Sequence, residues 1–388
     1  MIPWLWLLLF SLQDAAPLRP FDDAMEAQLR EYRIPGGALA VVRDGRLILA
    51  KGYGLADVDA KTPVDAASLF RIASISKPVT AVAVLRLVQE GRLDLDAKAF
   101  GLLELKPEGA DGRLAQITIR QLLQHTGGWD REKSGDPMFR PFDIASEAGV
   151  APPPGPAVIM EFVAKRRLDF DPGARHAYSN FGYCVLGRVI EKVSGQPYED
   201  YVRKTVLTPM GITRMRLGKT LLDQRAEGEV RYYPVTGLQA RPVFAAIPEK
   251  QVPWPYGGFY LEAMDAHGGW LASASDLVRF VVSLDKVLDA KTQATMLARP
   301  PGLDPVSAYY YACGWMVRPM GKEGRMNVWH NGSLPGTSTL LVRRHDGLVW
   351  AALFNDRSRG EGKIDPALHI AADAVKEWPT VDLFEATR

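Results

Sequence analysis

A serine hydroxyl is a weak nucleophile until a base stands beside it, so a serine with a base at short range is a place where chemistry can begin. The stretch FRIASISKPVT, residues 70–80, sets Ser74 and Lys77 three apart at the head of an apolar run. Residues i and i+3 share a helix face, which brings the lysine amine to the serine hydroxyl. A helix N-terminus and burial both disfavour the ammonium form, so Lys77 would act as base and Ser74 as nucleophile. The plainer reading is a serine cap followed by a solvated lysine. Spacing alone does not choose between them. Ser283-Leu284-Asp285-Lys286 repeats the string late in an amphipathic segment, where it reads as a helix face.

Two further clusters bear on the choice. Tyr178-Ser179-Asn180 is the only Y-x-N in the chain and stands at a helix entrance. A tyrosine there would take the serine proton and pass it to a leaving group, while Asn180 offers a donor and an acceptor to a substrate amide or to Lys77. The rival is Asn180 as a helix cap and Tyr178 as a packed aromatic. Four of the six histidines have glycine two residues on, so the string H-x-G carries little by itself. His125 ends a helix, His267 opens a glycine-rich loop and His345 precedes a hairpin turn. Only His330-Asn331-Gly332-Ser333 runs along a late strand. There Gly332 would let a substrate lie against the backbone, and the N–H groups of Ser333 and Ser74 would form an oxyanion hole.

The elements that must position these residues are legible in outline. GGALAVVRDGRLILAKGYG gives two apolar runs around Asp44-Gly45, a hairpin. The helix opened by Ser74 carries Pro78 in its first turn and stops at Gly91. From about 95 to 300 the texture is helical: ITIRQLLQHTGG, AVIMEFVAKRR, NFGYCVLGRVIEKVSG and SASDLVRFVVSLDKVL, with APPPGP as a rigid loop. Strands return in YYYACGWMVRP, RMNVWHNGS, STLLVRRHDG and LVWAALFND, and a helix from Asp365 to Trp378 closes the chain. Early and late strands around a helical insertion predict an α/β (α+β) fold. Its antiparallel sheet is flanked by helices, with one lobe from residues 21–95 and 300–388 and a helical lobe from 96–299.

Composition narrows the function. The 388 residues carry a net charge of only +2, with 47% hydrophobic and 24% charged residues. That is ordinary for a globular chain and lacks the one-sided basic face of a nucleic-acid binder. No H-E-x-x-H or clustered His/Asp pattern calls for a metal. No cofactor is expected, and the expected partner is a small ester, amide or peptide substrate. The apolar run Ile2–Leu12 is too short to span a bilayer and reads as the core of an export signal within residues 1–16, with an uncleaved N-terminal anchor as the rival. Cys184 and Cys313 read as buried free thiols.

Taken in order, FRIASISKPVT, LLQHTGGW, YSNFGYCVLGRVIEKVSGQPYEDYV, GGWLASASDLVRF and WHNGSLPG resemble the β-lactamase-related serine hydrolases. That group includes class C β-lactamases, D-alanyl-D-alanine carboxypeptidases, D-aminopeptidases and family VIII esterases. The resemblance implies a β-lactamase/penicillin-binding-protein-like fold with the site between two lobes. It also implies Ser74 as acylated nucleophile, Lys77 as its base partner, Tyr178 as acid/base and Asn180 as a substrate-orienting residue. His330 would stand where the family usually has the lysine of K-T-G. A histidine there is largely neutral at pH 7, which ranks an esterase or D-amino-acid peptidase above a true β-lactamase. A non-catalytic binder of peptidoglycan fragments is the rival from another class.

Overall fold

In the computed structural model, Asp44 and Gly45 adopt positive φ angles of 50° and 80° and join strand β1 (Gly36–Arg43) to β2 (Arg46–Asp57). A two-residue turn of this hand matches the twist of the strands it connects. The structure describes residues 16–384 apart from Pro107, 235–236, 303–306, 322–323 and 358–359. The leader read in residues 1–16 therefore lies, but for Ala16, outside the described residues. No described helix is long and apolar enough to cross a membrane.

The hairpin continues to β3 (Thr62–Pro63). From the other end of the chain come β4 (Tyr310–Tyr311), β5 (Met316–Pro319), β6 (Met326–Leu334), β7 (Thr337–Arg343) and β8 (Leu348–Phe354). They form one sheet in the order β3-β2-β1-β8-β7-β6-β5-β4. The early hairpin meets the late strands along an antiparallel β1–β8 register from Gly37 opposite Phe354 to Arg43 opposite Leu348. The expected mixed α/β fold with an antiparallel sheet is what forms.

Both faces of the sheet are covered, which explains why its strands read as unbroken apolar runs. Ala38, Ala40 and Val42 alternate into the main core with Val349, Ala351 and Leu353. Leu39, Val41, Trp350 and Ala352 face the other way. The helices that position the site or close the sheet are α1 (Arg19–Tyr32), α2 (Ser76–Gln89), α3 (Asn180–Ser194), α4 (Ala274–Val282) and α5 (Ile364–Ala374). Residues of α1 and α5 complete the second core. Helix α2 is buried continuously from Ser76 to Leu85, so it lacks the polar stripe of a surface helix. Gly91, at φ 69°, ends it.

Several local expectations change. YYYACGWMVRP is two short strands rather than one, because Gly314 turns at φ 82° and brings Met316 back opposite Tyr311. A Cβ at Gly314 would stand 2.7 Å from the Ala81 Cβ of α2, so only glycine allows that approach. The helix in ITIRQLLQHTGG is only Ile119–Leu123, opened by a Thr118–Gln121 capping box, since the chain turns left-handed at His125, φ 56°. The last helix stops at Ala374, and Trp378 packs on Phe21 and beneath Arg43 instead. A small sheet of Phe70–Arg71, Trp270–Ala272 and Arg216–Leu217 had no reading in the sequence. Its strands are two or three residues long, too short for a periodic signal.

One glycine couples sheet to helix. A Cβ on Gly332 of β6 would collide with the Ile72 carbonyl and the Thr339 hydroxyl, and would lie 3.0 Å from the Ser74 nitrogen. Replacing Gly332 with alanine should therefore destabilise the protein by about 1–3 kcal/mol and push the Ser74 turn off β6. Denaturant melts would report the first effect and loss of nucleophile labelling the second. A variant with unchanged stability and labelling would contradict this packing.

Candidate active site

Ser74 lies in a single 3₁₀ turn, Ala73–Ile75, directly before α2. Ala73 adopts φ 48°, a costly conformation for a residue with a Cβ. The turn is clamped by the Thr339 hydroxyl, which donates to the Ile72 carbonyl at 3.0 Å, and by Ile72 N–H donating to Trp270 at 2.9 Å. Strand β5 pairs with β6 only as far as Trp329, so the β6 edge from His330 to Leu334 lies beyond that pairing. The Ser74 turn packs against Gly332 on this stretch.

Lys77 is fully buried, and its Nζ sits 3.0 Å from Ser74 Oγ, 2.8 Å from Asn180 Oδ1 and 3.0 Å from the His267 carbonyl. Burial is the largest influence on the amine and pulls its pKa well below that of an exposed lysine. Asp136 opposes the shift and Arg131 adds to it. Two of the three partners are pure acceptors. A neutral amine donates its two hydrogens to Asn180 and His267 and leaves its lone pair for the Ser74 hydroxyl proton, the geometry of a general base.

Ser179, rather than Asn180, caps α3 by accepting from Gly182 N–H at 3.3 Å. Asn180 is thereby the first helical residue, its side chain free of capping. Its Nδ2 donates to Asp136 Oδ2 at 2.6 Å, which turns Oδ1 towards Lys77. The Tyr178 ring lies 4.7 Å from Lys77 Nζ, and its phenol lines the cleft with Ser74. Burial raises the phenol well above its usual range despite the opposing influence of Ser74, so Tyr178 is held as a neutral phenol. His125 supports it from behind, 4.2 Å away between ring centres, and its Nδ1 accepts from Ser179 N–H at 3.2 Å. His125 is buried and held well below its usual pKa, so it is not the cationic helix end that its position in sequence suggests.

These groups open into a cleft of about 530 Å³ lined by Ser74, Tyr178, Asn180, His267, Asn331 and Ser333, with Arg131, Asp136 and Phe139 along the loop side. Ser333 thus faces the nucleophile. Two expectations need correction. Gly332 does not leave room for substrate on its Cβ side; that space holds the Ile72 carbonyl and the Thr339 hydroxyl. His330 is expected against substrate, yet it is 2% exposed and does not line the cleft. Its Nε2 pairs with the Tyr311 hydroxyl at 3.0 Å and its Nδ1 with the Asn331 carbonyl at 2.6 Å, while burial pushes its pKa down to about 3. Trp129 packs on Phe100 and Phe181. The second S-x-x-K lies at the end of α4, with Ser283 buried and Lys286 exposed away from these groups.

Asp136, Arg131, His267 and Tyr311 were not picked out by sequence reasoning. Asp136 shows in sequence only as an Asp-Pro turn, where it caps Met138 N–H at 3.1 Å. His267 contributes a backbone carbonyl to Lys77, which no side-chain motif reveals.

A mixed sheet-and-helix fold with a serine, a buried lysine amine and a tyrosine converging at the junction defines the class of serine-nucleophile proteins built on the penicillin-recognising fold. The chain belongs to the Beta-lactamase family, whose sequence profile matches residues 21–374. It is 35% identical over 217 residues to esterase EstB of Burkholderia gladioli, a match covering 52% of each chain. It is 31% identical over 306 residues to a putative fimbrial assembly protein FimD, serogroup D, of Dichelobacter nodosus, covering 75% of this chain and 67% of that one. The match thus spans about half the length of the esterase. Among solved structures, the octameric penicillin-binding protein homologue from Pyrococcus abyssi superposes with a TM-score of 0.72 at 26% identity, over 95% of this chain and 80% of that one. The D-amino acid amidase from Ochrobactrum anthropi SV3 gives 0.71 at 23% identity, over 93% and 99%, a likeness of fold.

The pKa shifts set an expected pH profile. If Lys77 acts as base it must do so while neutral, so kcat/KM on an uncharged ester should fall as pH drops through its depressed pKa. His330, neutral above about 3, contributes no limb near 6.5. His330→Gln should leave the acid limb in place to within about 0.3 pH units in a profile of kcat/KM. Loss of a limb near the ordinary histidine pKa in that variant would show His330 titrating in the site.

Proposed function

We propose that the protein is a serine hydrolase that turns over small esters or amides through an acyl-enzyme, of the esterase or D-amino-acid peptidase and carboxypeptidase kind. The observation that carries this is the Lys77 amine held between Ser74 Oγ, Asn180 Oδ1 and the His267 carbonyl. Lys77 takes the Ser74 proton as Oγ attacks the carbonyl carbon. The N–H groups of Ser74 and Ser333 receive the oxyanion, and Tyr178 protonates the departing alcohol or amine. Tyr178 regains its proton from Lys77, which restores the neutral amine. In the second step the neutral Lys77 amine takes a proton from water as it attacks the acyl-enzyme carbonyl, and that proton passes to Ser74 Oγ as the acid is released. Asn180, oriented by Asp136, keeps the amine in register.

The esterase and amidase among the relatives fit this reading. A neutral His330, outside the cleft lining, supplies no cation on the sheet side, which weighs against efficient penicillin turnover. The apolar segment Ile2–Leu12 supports export to the periplasm or beyond.

Intact-protein mass after exposure to a fluorophosphonate, a fluorescent penicillin and p-nitrophenyl butyrate tests the proposal. A single adduct mapping to Ser74, with ester turnover and a slow or absent penicillin reaction, is the expected result. Ser74→Ala should lose the adduct and at least about 10³-fold in kcat. Rapid penicillin hydrolysis would reassign the protein as a β-lactamase. No adduct with any probe would make it a binder that keeps the shape of the site without its chemistry.

A further inference from the structure

The second S-x-x-K has no part in the site, yet it borders a cavity of about 590 Å³ that shares no lining residue with the catalytic cleft. Leu284 and Asp285 of that segment line it, together with Val282 at the end of α4 and Arg343 at the end of β7. Strand register puts Arg343 where an apolar residue belongs. It stands opposite Val328 of β6 and Val349 of β8, both members of the main core, and side chains paired in this way share a face of the sheet. Thr339, which clamps the Ser74 turn, lies four residues back on the same face, roughly 13 Å along the strand.

Arg343 is half-buried, and among the described residues its guanidinium has neither a hydrogen bond nor an ion pair. Burial lowers its pKa, and no neighbouring carboxylate offsets the shift. Arg325 lines the same cavity, exposed and also without an ion pair among the described residues. The other polar side chains there are engaged or stand apart. Arg344 is held by Asp346 at 2.8 Å and Asp373 at 2.7 Å, and His345 Nδ1 lies 3.0 Å from Asn327 Oδ1. Asp285, the one carboxylate of the described lining, is exposed and pairs with neither free arginine. A cation on a core face carries a desolvation cost that a negative partner would offset, and the described chain supplies none.

We infer that Arg343 and Arg325 form a second ligand site, one for a small phosphate monoester, whose dianionic head meets the two guanidinium forks while its apolar body lies against Val282, Leu284 and Met326. Two free cations match a dianion better than a single carboxylate, and each planar fork can hold two phosphate oxygens at once. Val282 and Met326 are half-buried, so each still presents apolar surface to the cavity. The ligand would sit at the far end of β7 from the nucleophile and compete with no substrate for the cleft.

Calorimetric titration of the full-length protein with phenyl phosphate tests this, with benzoate and inorganic phosphate run at equal ionic strength. The wild-type protein should bind one phenyl phosphate about tenfold more tightly than benzoate, and added salt should weaken it. Inorganic phosphate should bind more weakly, and equal binding would overturn the part assigned to the apolar wall. Arg343→Met should weaken phenyl phosphate by at least about tenfold, and Arg325→Met, at an exposed position, by about threefold. Arg131→Met should bind as the wild type does; loss of binding there would put the anion in the cleft and overturn the inference. No saturable binding by the wild-type protein, or full affinity in Arg343→Met, would overturn it too. Should Arg343→Met fail to fold, full affinity in Arg325→Met would do the same.

Discussion

A single amine buried between three oxygens organises this protein. Taking a lysine out of water is expensive, and the cost falls mainly on its charged form. The fold meets that cost by offering Lys77 two carbonyl-type acceptors and a hydroxyl. Those oxygens come from three distant parts of the chain: the turn before α2, the first residue of α3 and the loop before the Trp270–Ala272 strand. Each must be held to within a fraction of an ångström, and much of the surrounding architecture does this. Thr339 and Gly332 fix the turn. Ser179 and Asp136 fix Asn180. The Thr80 hydroxyl donates to Ala266, one residue before His267, at 2.6 Å.

The same burial assigns protons. Desolvation pulls Lys77 down and pushes Tyr178 up, so burial favours the neutral amine and the neutral phenol alike. A neutral pair can exchange a proton with Ser74 without stranding a charge in a dry site. The neighbouring histidines follow the same rule. His125, His267 and His330 are each depressed by burial, and Lys77 adds to the shift in all three. They act as apolar-sided hydrogen-bonding groups, and the permanent cations of the cleft are arginines at its rim.

The degree to which the site was legible differs from residue to residue. Ser74–Lys77 and Tyr178–Asn180 could be read because each pair lies within one turn of chain at a helix entrance, where type and spacing carry geometry. Asp136 and the His267 carbonyl could not, because one looks like an ordinary turn cap and the other uses no side chain. His330 shows the limit of strand reading. Alternation places it opposite Asn331, but which of the two faces the cleft depends on what covers each face of β6. Similarly, the continuous apolar strand of YYYACGWMVRP was broken by a tertiary demand, the close approach of Gly314 to Ala81, that no local propensity announces.

Sequence alone determined the elements with strong periodicity or punctuation: the Asp44-Gly45 hairpin, α2 stopped at Gly91, α3 stopped at Gly195, and the strand–helix–strand order that closes an antiparallel sheet. It also singled out residues whose types could serve acyl transfer, since those are matters of residue type and spacing within a turn. Tertiary structure alone decided the direction in which burial shifts Lys77 and Tyr178, the withdrawal of His330 and the presence of Arg131 at the cleft. The reason is physical. Burial and through-space charge depend on segments tens to hundreds of residues apart meeting in three dimensions, and local sequence carries no record of that meeting.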